Sequence, residues 1–375
     1  MNIIAQSGAT VNVFLQQKRY SDPVKSAKKL ERAAKKRAER AEEEKMPVAQ
    51  RWTEHKKLSL CVGDRLVQAG LPKRGERIKM CGNMLTITHC PQCGQIKIAG
   101  AQLCRDKLCP TCAWRLAIKR YAAMQAIIRL LYTRYPGYTY SLITLTARNC
   151  GRGELGAYLD KMQKAWESVR QQRWARRALT GWARAIECTY SKDCAAGCYH
   201  PHYHIILMYD DKHNHGTDSA VVQEWLRQCA RQGITASLKA QDSQRITSID
   251  AGQSLAGAIC EVYKYSIKAS DTLEMPLDVL YDFAIALQGK RMVSFGGAIK
   301  QAAKDLQLEQ LEQADEDERE ELCTACGCKQ LDHMIARWSM AGMHYYTIQG
   351  RELCEEVEEL ERKREENALL HTDGR

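Results

Sequence analysis

Three of the ten histidines of this 375-residue chain fall within five residues, His200-Pro201-His202-Tyr203-His204, with Ile205-Ile206-Leu207 directly after them. In an extended strand alternate side chains project from one face, so His202 and His204 would point the same way. The Ile-Ile-Leu run supplies a buried β segment to hold them. Two imidazoles on one strand face make half a metal site; the bland alternative is a cluster of surface or core histidines with ordinary partners. Further on, Glu261 and Tyr265 stand at the i, i+4 spacing that puts a carboxylate and a phenol on one helical face. Lys268, at i+3 from Tyr265, adds a cation on that side. A phenol of pKa about 10 attacks well only where a nearby cation or base favours phenolate. Tyr263 faces elsewhere on such a helix, as a packed aromatic would.

These groups need elements to position them. Tyr138–Ala147 is β-branched and aromatic and predicts a strand. Arg184–Tyr190 predicts a second, joined to the histidine strand as a hairpin through a loop holding Cys194 and Cys198. Glu187 and Thr189 share a face of that hairpin, and Glu187 is the only carboxylate in its strand. It could therefore complete a set of two histidines and one carboxylate; an exposed edge carboxylate is the alternative. Such a set leaves positions for water and phosphate oxygen, and suits Mn2+ or Mg2+ better than a closed structural zinc. Helical periodicity marks Trp114–Leu131, Leu155–Arg170, Val221–Arg231 and Leu255–Ile267, the last carrying Glu261 and Tyr265, and Ile246–Ile249 reads as a short strand. The expected fold is α+β, a central antiparallel sheet flanked by helices.

The chain has 17 cysteines. An odd number in a long chain without a secretion signal argues against a disulfide scaffold, and for metal-bound or free thiols in a reducing cytoplasm. Cys90-x2-Cys93 and Cys109-x2-Cys112, fifteen residues apart, give a four-thiolate spacing that suits a structural zinc. Cys81 and Cys104 are spares that could permute this ligand set. Cys323-x2-Cys326-x-Cys328 lacks a fourth partner at standard spacing, which Cys354 or His333 could supply.

The balance of charge is basic, net +11, which favours a polyanionic partner. Residues 18–45 hold eleven Lys/Arg and six Asp/Glu and read as a solvated helical arm able to touch phosphates. Asp315–Glu320 carries five acidic residues in six and is expected to end the compact unit. The implied division is a basic arm over 1–50, a cysteine-rich zinc module over 51–113, a catalytic region over 114–305 and a charged, peripheral tail over 306–375. The sequence has no apolar run of membrane length and no GxxxxGK[ST] phosphate loop. Neither a membrane partner nor ATP hydrolysis through such a loop is expected.

In this order the motifs resemble the rolling-circle plasmid replication initiators of the HUH endonuclease superfamily. The resemblance runs over roughly 81–300. It rests on Cys104-Arg-Asp-Lys-Leu-Cys109-Pro-Thr-Cys112-Ala-Trp114-Arg115, Leu142–Thr146, Ile186–Tyr190 and His200–His204. It continues through Glu261-x3-Tyr265-x2-Lys268-x2-Asp271 and Gly289–Gly297. It implies an HUH-type fold and a nicking-joining enzyme acting at a plasmid origin. Tyr265 would attack a phosphodiester, leaving a 5′-phosphotyrosyl link and a 3′-OH for a polymerase. His202 and His204 would hold the divalent ion, and Glu261 would activate the water that releases the enzyme at termination. Tyr263 occupies a position usually small in this branch, which makes it a candidate second tyrosine. A separate helicase would unwind the duplex, and the cleavage site would be presented unpaired. A relaxase or transposase of the same superfamily, a non-catalytic zinc-dependent DNA-binding regulator, and an unrelated metallohydrolase are the competing readings.

Overall fold

The computed structural model describes residues 46–192, 199–210, 216–246, 269–308, 322–347, 352–360 and 362. The chain divides into two units, Met1–Arg51 and Trp52–Arg375, and the first is described over residues 46–51 alone. The basic run 18–45, the loop of Cys194 and Cys198, the helix expected over 255–267 and the acidic run 315–320 lie outside the described residues. In chain order come α1 (Val48–Gln68), α2 (Pro72–Lys79), β1 (Met84–His89), β2 (Ile96–Ala101), α3 (Pro110–Arg134) and β3 (Thr139–Thr146). There follow α4 (Leu155–Gln171), α5 (Arg173–Ala178), β4 (Leu179–Tyr190), β5 (Tyr199–Tyr209), α6 (Thr217–Arg231) and β6 (Asp242–Ile246). The last are α7 (Ala269–Glu274), α8 (Leu277–Ala286), β7 (Val293–Gly296), α9 (Gly297–Asp305), β8 (Asp332–Ser339) and β9 (His344–Thr347). Among the described residues no helix is long and apolar enough to cross a membrane.

The fold is α+β, and its larger sheet has the order β6-β3-β5-β4-β7 with every neighbouring pair antiparallel. Period-two alternation gives β5 two faces, and helices cover both, so its sequence reads as an almost unbroken apolar run. Ile205 and Leu207, with Ile143 and Leu145 of β3, pack on α4, α6 and α8 through Trp166, Trp225 and Phe283. Ile206 and Met208, with Tyr140 and Ala183, pack on Ile127, Ile128 and Leu131 of α3 and Ile299 and Ala302 of α9. Burying such side chains contributes about 1.5–3 kcal/mol each before chain entropy is counted. β6 is described over Asp242–Ile246, and of the strand expected at Ile246–Ile249 only Ile246 lies among the described residues.

The turn from β7 into α9 needs two glycines. Gly297 has φ +57°, in the left-handed region, and a Cβ there would overlap the Thr180 carbonyl oxygen. A Cβ on Gly296 would overlap the Trp182 indole. α9 therefore lies directly on the start of β4. Gly297→Ala should cost about 2–4 kcal/mol in urea unfolding, through both strain and overlap. A variant as stable as wild type would contradict this packing.

A second sheet has the order β2-β1-β8-β9. β8 pairs antiparallel with β1 from Met84 opposite Arg337 to His89 opposite Asp332. The expected peripheral tail is thus corrected: residues 332–347 share a sheet with the cysteine-rich region. The physical reason is that the β1–β2 hairpin leaves one edge of β1 open, and β8 fills it while burying Ala336 and Trp338. Tyr345 donates to the Gly82 carbonyl at 2.6 Å, and the Trp338 amide donates to the Asn83 carbonyl at 2.9 Å.

Asp106 ties α2 to the loop between β2 and α3. Its carboxylate accepts from Arg74 Nε and Nη2 at 2.8 Å each and from Arg77 Nη2 at 2.8 Å. Burial alone would raise this carboxyl, but the Arg74 fork outweighs it and holds Asp106 below the usual carboxylate range. A depressed folded value contributes stability above the unfolded pKa of about 3.9, and that stability is lost as pH falls through the folded value. Asp106→Asn should therefore be less stable than wild type at neutral pH, with the gap closing below about pH 4 in pH-dependent unfolding.

Candidate functional site

Glu187 on β4 lies directly opposite His202 on β5, while Ala185 lies opposite His204. Side chains at i and i+2 of a strand share a face, so one carboxylate reaches its facing partner and the next along the diagonal. Glu187 Oε2 is 3.2 Å from His202 Nε2 and 2.9 Å from His204 Nε2. The rings of His202 and His204 are 4.9 Å apart at 85°. All three side chains are buried, with Glu187 only 4% exposed. Their face is the one that β5 continues with Ile206 and Met208 under α3 and α9, so a single sheet face passes from apolar core to polar site. Ala185 supplies the space that the His204 imidazole needs beside it.

The far side of each ring fixes what the near side can do. His202 Nδ1 faces the His200 carbonyl oxygen at 3.2 Å, and a carbonyl can only accept, so Nδ1 carries the proton. In the neutral ring Nε2 is then a bare lone pair aimed at a carboxylate oxygen. Two acceptors at that distance repel unless a cation stands between them. His204 Nδ1 lies 3.2 Å from the Thr144 hydroxyl, which can accept from it and free Nε2 in the same way. Ligand atoms sharing an octahedral ion at about 2.1 Å stand about 3 Å apart, which the two separations from Oε2 match. Glu187, His202 and His204 thus form a group that could hold a metal ion. His200 stands aside: its Nδ1 meets Asn149 Oδ1 at 2.7 Å, and burial, aided by His202, lowers its pKa.

Glu261, Tyr263, Tyr265 and Lys268 lie outside the described residues. The chain resumes at α7, where Asp271 Oδ2 accepts from the Tyr190 amide at 3.3 Å, three residues beyond Glu187 on β4. The Glu187 end of β4 and the residues just past Lys268 are therefore neighbours.

The cysteines divide differently from their spacing. Cys109 and Cys112 join Cys81 and Cys104, whereas Cys90 and Cys93 join Cys323 and Cys326. The expected set of Cys90, Cys93, Cys109 and Cys112 is corrected by the β1–β2 hairpin. Cys81 precedes β1 and Cys104 follows β2, so closing the hairpin brings them together at its base. Cys90 and Cys93 occupy its turn, about 20 Å away at 3.3 Å per residue. That symmetry about the hairpin is the signal the spacing argument missed. Neither Cys354 nor His333 completes the Cys323–Cys326 pair. In the first cluster Cys81 Sγ is 3.4 Å from Cys112 Sγ, and the Arg105 amide donates to Cys112 Sγ at 3.2 Å. Hydrogen bonds from Cys104, Cys109 and Cys112, together with burial, push the Cys81 thiol far up. Four thiolates this close cannot all ionise without a cation. Beside them buried Lys56 donates to the Cys81 carbonyl at 2.8 Å, and burial lowers its pKa to about 8.

The model of the replication protein family matches residues 95–346. That span includes Glu187, His202 and His204, β8 and most of β9. A Protein rep of Streptococcus pneumoniae serotype 2 is 27% identical over 302 residues, 79% of this chain and 91% of its own length. A Protein rep of Bacillus amyloliquefaciens is 28% identical over 262 residues, 65% of this chain and 76% of its own length. A Protein rep of Lentilactobacillus hilgardii is 27% identical over 252 residues, 64% of this chain and 77% of its own length. No solved structure matches the chain.

Thr144→Val removes the hydroxyl that orients His204 while keeping the side chain's shape. Mn2+ affinity measured by titration calorimetry should fall about tenfold or more. Unchanged affinity would remove Thr144 from the site.

Proposed function

The chain belongs to the replication protein family, as the resemblance of its motifs to plasmid replication initiators implied, and from that premise we propose that it nicks and rejoins one DNA strand at a plasmid origin. The observation that carries this reading is the Glu187–His202–His204 group, with two imidazole lone pairs and a carboxylate converging at the end of one sheet face. Its donors are nitrogen and oxygen only, and in the HUH-like reading they hold Mg2+ or Mn2+ with positions left for phosphate oxygen. When bound, such an ion polarises the scissile phosphate.

In this reading Tyr265 is the nucleophile. Its Oη forms a bond to phosphorus as the P–O3′ bond breaks, leaving a 5′-phosphotyrosine and a 3′-OH primer. Lys268 favours the phenolate, and Tyr263 is a candidate second tyrosine. Glu261 takes a proton from the water that hydrolyses the link at termination. The contact of Asp271 with β4 supports this assignment, because six residues reach at most about 20 Å back to Tyr265. Glu187, His202 and His204 orient the phosphate, and their burial limits the water that could compete. A net charge of +11 favours a DNA partner. The absence of a phosphate-loop motif in the sequence leaves unwinding to a separate helicase, with a polymerase extending the 3′-OH.

Purified protein with Mn2+ should nick a supercoiled plasmid carrying its own origin and remain attached to the 5′ end. Tyr265→Phe should lose at least a thousandfold in nicking rate, and a Tyr265→Phe variant nicking at the wild-type rate would sink the nucleophile assignment. Glu261→Ala should nick normally but fail to release, as read by the protein–DNA adduct persisting on a denaturing gel.

A further inference from the structure

The first cysteine cluster is local to one hairpin and the start of α3, but the second joins residues 230 and 236 positions apart. Its two halves are built alike. Cys90-Pro-Gln-Cys93-Gly94 and Cys323-Thr-Ala-Cys326-Gly327 are both C-x2-C-G turns. In each, the glycine has a left-handed φ, +69° at Gly94 and +72° at Gly327. In each, the glycine amide donates back to the first cysteine's carbonyl at 2.8 Å. In each, the first cysteine's amide donates to the carbonyl five residues on, Gln95 at 2.9 Å and Cys328 at 2.8 Å. The first thiol of each turn also accepts from two backbone amides: Cys93 and Gln92 point at Cys90, Cys326 and Ala325 at Cys323. A turn that aims amides at a sulfur suits a metal-bound thiolate.

Cys90 Sγ lies 3.6 Å from Cys326 Sγ, and Cys93 Sγ lies 3.5 Å from Cys323 Sγ. Disulfide sulfurs stand about 2.05 Å apart, whereas four sulfurs around one zinc at 2.3 Å stand about 3.8 Å apart. We propose that Cys90, Cys93, Cys323 and Cys326 bind a zinc ion of their own, and that this ion is the clasp fastening residues 322–347 to the β1–β2 hairpin. Each ion-binding turn abuts the sheet it secures: the first joins β1 to β2, and the second lies a few residues before β8. Only six residue pairs join β8 to β1. A clasp closing a chain segment of more than two hundred residues removes the entropy that would otherwise favour leaving that edge. Cys326 is exposed, whereas Cys81, Cys109 and Cys112 are buried, so the clasp ion is also the more accessible of two. The inference is independent of the nicking reading.

The test counts zinc in the full reduced chain by plasma mass spectrometry, and follows its release with a chromogenic chelator. Wild type should hold two zinc ions per chain, released in a fast and a slow phase. C323S/C326S should hold one and lose the fast phase. Hydrogen exchange should then show the amides of 332–347 losing protection while those of β3 and β5 keep theirs. One zinc in wild type, two in the double variant, or native mass mapping of Cys90–Cys326 and Cys93–Cys323 disulfides would each overturn the proposal. Should the double variant not fold, wild type decides the matter. Removing the fast-phase zinc must deprotect 332–347, and continued protection there would overturn the clasp.

Discussion

Glu187 reaches two imidazoles only because β4 and β5 pair in one register, and a slip of one residue would turn its carboxylate to the opposite face of the sheet. That register is held far from the site itself. Eleven consecutive positions of β5, from Tyr199 to Tyr209, find partners on β4, and β5 is also paired along β3 up to Thr146 opposite His202. At the entry to β5, the one hydroxyl proton of Tyr199 is shared between Asp282 Oδ2 at 2.8 Å and the Val279 carbonyl at 2.9 Å. The strand is therefore anchored one residue before its first histidine. At the other end Gly296 and Gly297 seat α9 on β4. Packing on both faces thus fixes a geometry that is itself polar.

The sheet face explains how a buried polar group is tolerated. Along β5 the side chains facing α3 and α9 run from Met208 and Ile206 to His204 and His202, apolar under the helices and polar beyond them. Each imidazole has its outer nitrogen satisfied, by Thr144 or by the His200 carbonyl. With both rings neutral, what remains is a carboxylate facing two imidazole lone pairs, an arrangement that costs free energy until a cation or a proton enters. The thiol clusters offer softer donors, which suit a softer ion than nitrogen and oxygen do.

Much of this could be read from residue types. Alternation put His202 and His204 on one face, and the scarcity of carboxylates in Arg184–Tyr190 pointed to Glu187. Helix periodicity found α4 and α6 to within a few residues. Spacing failed where a partner is chosen by long-range topology. The fifteen residues between two CxxC pairs describe a loop length, but the β1–β2 hairpin inside that region decides which sulfurs meet. β8 went unread because Asp332–Ser339 buries only Ala336 and Trp338, too weak an alternation to stand out in a charged segment. β7, four residues long, offered no periodicity at all.

The nicking proposal stands on Glu187, His202 and His204 sharing one hard divalent ion. Anomalous diffraction from a crystal grown with Mn2+ tests it most directly. A single strong peak is expected within about 2.3 Å of Glu187 Oε2 and of both Nε2 atoms, with water or phosphate in the remaining positions. Density showing His202 Nε2 and His204 Nε2 hydrogen-bonded to Glu187, with manganese bound elsewhere, would contradict it.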